Sequence, residues 1–111
     1  MINKILRAEE WEALRNTGEL AGSPVDLADG FIHFSTAAQA AETARRHFDG
    51  AEGLRLAAVD DAQLGDALRW EPSRGGDLFP HLYRPLRLKD LAWCQPLPLG
   101  PDGHMFPAGM P

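Results

Sequence analysis

The sequence predicts an α+β domain, a small, bent and mostly antiparallel sheet with helices packed on it. Its 111 residues make one ordinary domain, not two. Short strand-like runs and helical patterns mix along one chain with no repeat. Hydrophobic residues make up 44% and charged residues 24%, enough apolar surface for one core and too much for whole-chain disorder. Residues 1–99 are read as the single globular unit and 100–111 as a loose C-terminal tail rich in Gly and Pro.

Ile2 to Arg7 reads as a first strand, short and apolar. Ala8 to Asn16 reads as a helix, with Glu9 and Glu10 in its first turn, Arg15 in its last, and Gly18 as its stop. Trp11 and Leu14 form its apolar stripe. Residues 18–30 hold Gly18, Gly22, Ser23, Pro24, Asp26, Asp29 and Gly30 and read as a long loop, either covering a ligand or packed on the surface.

Phe31 to Ser35 reads as the second strand, with Ile32 and Phe34 on one face and Phe31, His33 and Ser35 on the other. Thr36 and Gln39 form a capping-box pattern for the next helix, whose face would be Ala37, Ala41, Ala44 and Phe48. Arg45, Arg46 and His47 sit at its C-terminal end, and Gly50 stops it. Leu54 to Val59 alternates as a third strand, after which Asp60 or Asp61 caps a short helix to about Ala67. Leu68 to Glu71 reads as a fourth strand with Leu68 and Trp70 inward, ended by Pro72. A glycine turn follows at 73–77, then the apolar run Leu78 to Tyr83, a helical turn at 85–90, and an edge strand from Leu91 to Leu97.

The formal net charge is −5, which disfavours a duplex nucleic-acid surface. Residues 69–89 run against this balance, with Arg69, Arg74, Arg84, Arg87 and Lys89 facing Glu71 and Asp77. A basic segment on an acidic body suits a small anionic ligand, or is simply a solvated loop. Cys94 is the one cysteine and sits in the apolar run Leu91-Ala92-Trp93-Cys94. That fits a reducing cytoplasm and a structural thiol rather than a nucleophile. The first residues lack the apolar core of a signal peptide, and no stretch has membrane-span length, so the expected location is cytoplasmic and off the membrane.

Two segments carry candidate chemistry. In Phe31-Ile32-His33-Phe34-Ser35-Thr36, a strand sets His33 and Ser35 on one face just before a helix start. These groups suit ligand binding or proton transfer, or equally a histidine hydrogen-bonded to main chain with Ser35 as an alternative cap. In Glu71 to Tyr83, Arg74 stands beside two glycines that let a backbone approach phosphate, and His81 lies in an apolar setting suited to its neutral form. The alternative is a surface turn followed by core packing of Phe79 and Leu82. A pair of His-x-Ser/Thr motifs, as in some phosphoesterases, is absent, because only His33-Phe34-Ser35 has the hydroxyl. No close pair of residues has metal-ligand spacing, and no metal is expected.

The run Ile2-Asn3-Lys4-Ile5, the block from Gly22 to Thr36, and Trp70-Glu71 followed by Gly75-Gly76 and Leu78 to Tyr83 resemble the bacterial family called domain of unknown function 952. The strand with His-x-Ser, followed by an alanine-rich helix ending Arg45-Arg46-His47, is more distantly similar to the RNA 2′-phosphotransferases of the ADP-ribosyltransferase-like fold. That resemblance implies an NAD or ADP-ribose-like ligand in a cleft between two bent sheets, and a transferase or glycohydrolase-like activity. It implies His33 at the nicotinamide ribose, Ser35 starting the supporting helix, and Glu71 as the transferase carboxylate. Lys4 stands where the fold usually carries His or Arg. Arg74 would then meet phosphate and His81 would line the pocket. The alternative is a non-catalytic nucleotide-binding or interaction module that keeps the fold and not the reaction.

Overall fold

A computed structural model of the chain describes residues 1–108 and Met110, and of Arg74 the main chain only. Among the described residues, three α-helices and several antiparallel sheets make an α+β fold. The first sheet has the order β1 (Ile2–Leu6), β4 (Leu54–Val59), β8 (Leu91–Leu97). The second has the order β3 (Ile32–His33), β6 (Asp77–Leu82), β5 (Leu68–Ser73). All pairings are antiparallel, and a bridge between Asn3 and Ser35 joins the two sheets at β1.

Helix α1 (Ala8–Thr17) follows β1 directly and is stopped by Gly18 in the left-handed conformation at φ 84°. Two elements lie in the segment expected to be a loop. They are β2 (Glu19–Leu20), which pairs with β7 (Leu86–Arg87), and helix α2 (Pro24–Asp29). Their cause is local. Ser23 accepts the Asp26 N–H, the Asp26 side chain returns to the Ser23 N–H, and Pro24 takes the first helical position, where its missing N–H is no loss. Gly22 precedes this cap at φ 135°, and a Cβ there would lie 2.6 Å from that of Asp26.

Helix α3 (Ala37–His47) starts at the expected Thr36 and Gln39 capping box. Its buried face is Ala40 and Ala44, while Ala41 is exposed. Ala40 thus takes the place expected for Ala41, while Ala44 and Phe48 pack as expected. Ala44 packs with Ile5, Leu54, Leu56 and Leu97 on one side of the first sheet. On the other side lies the larger core of Ile2, Leu6, Leu14, Ile32, Leu82 and Leu86. Cys94 is half-buried against that core, and burial raises its thiol pKa.

Strand β5 continues through Pro72 to Ser73. Proline is tolerated because β5 lies at the edge of its sheet, where a missing N–H breaks no ladder. Trp70 is 43% exposed and does not enter the core. Beyond β8, strands β9 (Leu99–Gly100) and β10 (Gly103–His104) form a hairpin that runs from Leu99 into the segment read as a loose tail. His104 Nε2 lies 2.8 Å from the Ala51 carbonyl oxygen, and Phe106 packs on the α3 cluster. Among the described residues no helix is long and apolar enough to cross a membrane.

Candidate functional site

The sheets meet where Asn3 and Ser35 exchange main-chain hydrogen bonds of 2.7 and 2.8 Å. A cavity of about 530 Å³ opens beside this junction. Lys4, His33, Ser35 and His81 line it, together with Asn3, Arg7, Asp26 and Asp29.

Helix α2 supplies the electrostatic centre. Asp26 is 2% exposed. Its Oδ1 lies 2.6 Å from His33 Nδ1 and accepts the His33 main-chain N–H at 3.1 Å. Its Oδ2 lies 3.1 Å from Lys4 Nζ and accepts the Ser23 N–H at 2.9 Å. Burial opposes the charge on Asp26, but the His33 hydrogen bond, the Lys4 ammonium and the two main-chain donors outweigh it. The carboxyl is held well below the usual aspartate range. Lys4 also donates to the His33 carbonyl at 3.0 Å. These bonds use two of the three ammonium donors. Asp29, one helical turn after Asp26, reaches His33 Nε2 at 3.0 Å. Both imidazole nitrogens of His33 therefore face carboxylates.

His81 stands directly opposite His33 in the β3–β6 pair. The ring centroids are 5.4 Å apart, edge to face. His81 is 4% exposed and stacks on Phe31 at 4.0 Å. Its Nδ1 lies 2.8 Å from Glu71 Oε1, which also accepts the Tyr83 hydroxyl at 2.7 Å. The Tyr83 hydrogen bond, then the His81 one, lowers the Glu71 pKa, and Glu71 in turn raises that of Tyr83. Nε2 of His81 is buried with no hydrogen-bond partner among the described residues. An ionised Glu71 can only accept, so Nδ1 carries a proton, and in the neutral ring Nε2 is then the nitrogen with the lone pair.

Glu71 is not among the residues lining the cavity and touches it through His81. Ser35 is buried and hydrogen-bonded to Thr43 of α3 at 2.8 Å. The Arg74 side chain lies outside the described residues. Arg7 lines the cavity beside Phe48, with its guanidinium 4.7 Å from the ring centroid. Among the described residues Arg7 has no ion-pair partner, and no group of three or more His, Cys, Asp or Glu is placed to hold a metal ion.

Sequence reasoning missed Asn3, Arg7, Asp26, Asp29 and Tyr83 as parts of this site. The Ser23-Pro24-Val25-Asp26 capping pattern was the available signal for Asp26. Asn3 carried a weaker one, as a polar residue inside an apolar strand that strand propensity disfavours.

The crystal structure of protein CC0527 from Caulobacter crescentus, a structural-genomics target, is 50% identical to this chain. It superposes with a TM-score of 0.89, covering 93% of this chain and 90% of that one. The solution NMR structure of CC0527 gives 50% identity and a TM-score of 0.83, covering 93% and 89%. No curated protein matches the chain. Residues 5–94 match the family described as protein of unknown function (DUF952), and the chain belongs to that family.

Proposed function

We propose that the cavity binds a small nucleotide of the NAD or ADP-ribose class, on a scaffold of ADP-ribosyltransferase-like kind. Its imidazoles would serve transfer or cleavage at the nicotinamide–ribose bond. The observation that carries this is the pair His33 and His81, opposed across two strands at one cavity, each oriented by its own carboxylate. The cavity volume suits a small-molecule ligand.

In this reading His81 is the base. Its Nε2 takes the proton from an attacking hydroxyl or water as a C–O bond forms at the anomeric carbon. The C–N bond breaks with its electron pair leaving on the nicotinamide. Asp29 favours the positive charge that develops on the sugar. His33 forms the wall against the ribose, and Glu71 holds the His81 tautomer. Arg7, Arg74 and the remaining N–H of Lys4 are the candidates for phosphate. Ser35 ties the strand to α3 beneath the ligand.

A second reading is a binding module without turnover. It is favoured by Glu71, whose Oε1 is engaged by His81 and Tyr83. Incubation with NAD, with free nicotinamide followed in time, separates the two. Release that disappears in His81→Gln supports the enzyme, and binding without release supports the module. Failure to bind NAD, ADP-ribose or a 2′-phosphorylated RNA end removes both.

A further inference from the structure

We infer that Asn3 is the cavity's recognition group for an amide edge, meaning a ligand group that presents an N–H donor beside a C=O acceptor. Asn3 lies in β1 and is 1% exposed. Its main-chain N–H and C=O are satisfied by Ser35. Its side chain is not, for both Oδ1 and Nδ2 are buried with no hydrogen-bond partner among the described residues.

The contrast with its neighbours gives this weight. Asp26 accepts from His33, Lys4 and Ser23, Lys4 donates twice, and the Ser35 hydroxyl meets that of Thr43. A buried polar group left without a partner costs free energy, and an apolar residue would suit this strand position better. Asn3 is among the residues lining the cavity, and its side-chain polar atoms are closed off from solvent, so a ligand that supplies the missing partner does so by displacing the groups that cover them.

The chemistry of that partner follows from the side chain. A primary amide offers donor and acceptor side by side in one plane. A second amide satisfies both through two parallel hydrogen bonds. A phosphate could meet only Nδ2, and a carboxylate would leave Oδ1 unsatisfied. A carboxamide and the lactam edge of a nucleobase share the required pattern.

Register places the other unpartnered atom close by. Asn3 faces Ser35, and Ser35 lies two residues along the chain from His33, which faces His81. Among the described residues lining the cavity, His81 Nε2 is the third buried side-chain atom without a hydrogen-bond partner, after the two of Asn3. A ligand with an amide edge and a nearby hydroxyl, as in a nucleoside, fills both. This assignment rests on the nucleotide reading of the cavity and adds the group by which the ligand is chosen.

The test follows the Asn3 side-chain NH₂ resonances in the ¹⁵N-labelled chain, identified by their loss in Asn3→Asp. The probes are nicotinamide for a carboxamide, uridine for a lactam, nicotinic acid as the control that lacks the amide, and NAD. Nicotinamide or uridine is expected to shift these resonances saturably and nicotinic acid to leave them in place. Asn3→Asp is expected to weaken the effective amide probe about tenfold or more. Whichever amide acts identifies the source of the edge. Nicotinic acid acting equally, or all three small probes leaving the resonances unmoved, overturns the assignment. If NAD binds wild type and Asn3→Asp equally without moving these resonances, the assignment falls while the nucleotide reading stands. If an amide probe acts and neither NAD nor ADP-ribose binds, the nucleotide reading falls and the assignment stands.

Discussion

Oδ1 of Asp26 lies 2.6 Å from Nδ1 of His33 and also accepts the His33 main-chain N–H. One carboxylate oxygen thus fixes both the ring and the backbone of the histidine. The other oxygen holds the Lys4 ammonium of β1. Helix α2 is therefore a clamp between the two sheets, and the six-residue element expected to be loop sets the geometry of the cavity.

Asp26→Asn removes the charge and leaves the Lys4 ammonium buried beside a neutral amide. Losing one partner of a buried ion pair costs about 3–5 kcal/mol. Urea denaturation at pH 7 is expected to show a loss of that order, with the slope unchanged.

The same carboxylate makes stability depend on pH. Its folded pKa lies below the ordinary 3.8, so the unfolded chain takes up the proton first as pH falls. Its contribution is complete above the unfolded value and declines as pH drops below it toward the folded one. Asp61, bound to the N-terminal ammonium, and Asp90, bound to Arg84, act with the same sign. The stability difference between wild type and Asp26→Asn is therefore the informative quantity. Denaturation midpoints measured from pH 7 to pH 3 are expected to stay parallel down to about pH 4, to begin drawing together below the unfolded value, and to remain apart at pH 3.

The core is tested by two aromatic or aliphatic truncations of opposite expectation. Leu82 is fully buried between the sheets, and Leu82→Ala is expected to cost about 2–5 kcal/mol. Trp70 is largely exposed on the edge strand, and Trp70→Ala is expected to change stability by about 0.5 kcal/mol or less. Chemical denaturation of both variants measures the contrast.

Glu71 is expected to hold His81 as the Nδ1–H tautomer. Long-range ¹H–¹⁵N spectra near neutral pH are expected to show that form in wild type and a loss of the preference in Glu71→Leu. The His33 ring signals should keep their pattern in that variant, because its hydrogen bonds go to Asp26 and Asp29.

Periodicity made much of the fold legible. The strand at 54–59, the edge strand at 91–97 and the Thr36 cap follow from local rules that tertiary structure leaves intact. Helix α2 was hidden because its proline and the flanking Gly22 and Gly30 carry loop chemistry, and its apolar Val25 and Leu27 are exposed, so no buried stripe marks it. In β5 the alternation separated Trp70 from Glu71, but burial at an edge strand depends on what covers each face, which no local pattern contains. The His33–His81 pairing follows from the strand order β3-β6-β5 and not from spacing. The Asp26–Lys4 ion pair was opaque for a similar reason, since Lys4 reaches Asp26 from a strand at the start of the chain.

The most direct measurement is the melting temperature of the whole chain with and without ADP-ribose and NAD, in wild type and in His81→Gln. A ligand at about 100 times its Kd adds about 2.7 kcal/mol to wild-type stability. The account predicts a saturable upward shift in wild type that shrinks in His81→Gln. An unshifted wild-type transition with both nucleotides, at millimolar concentration, would contradict it.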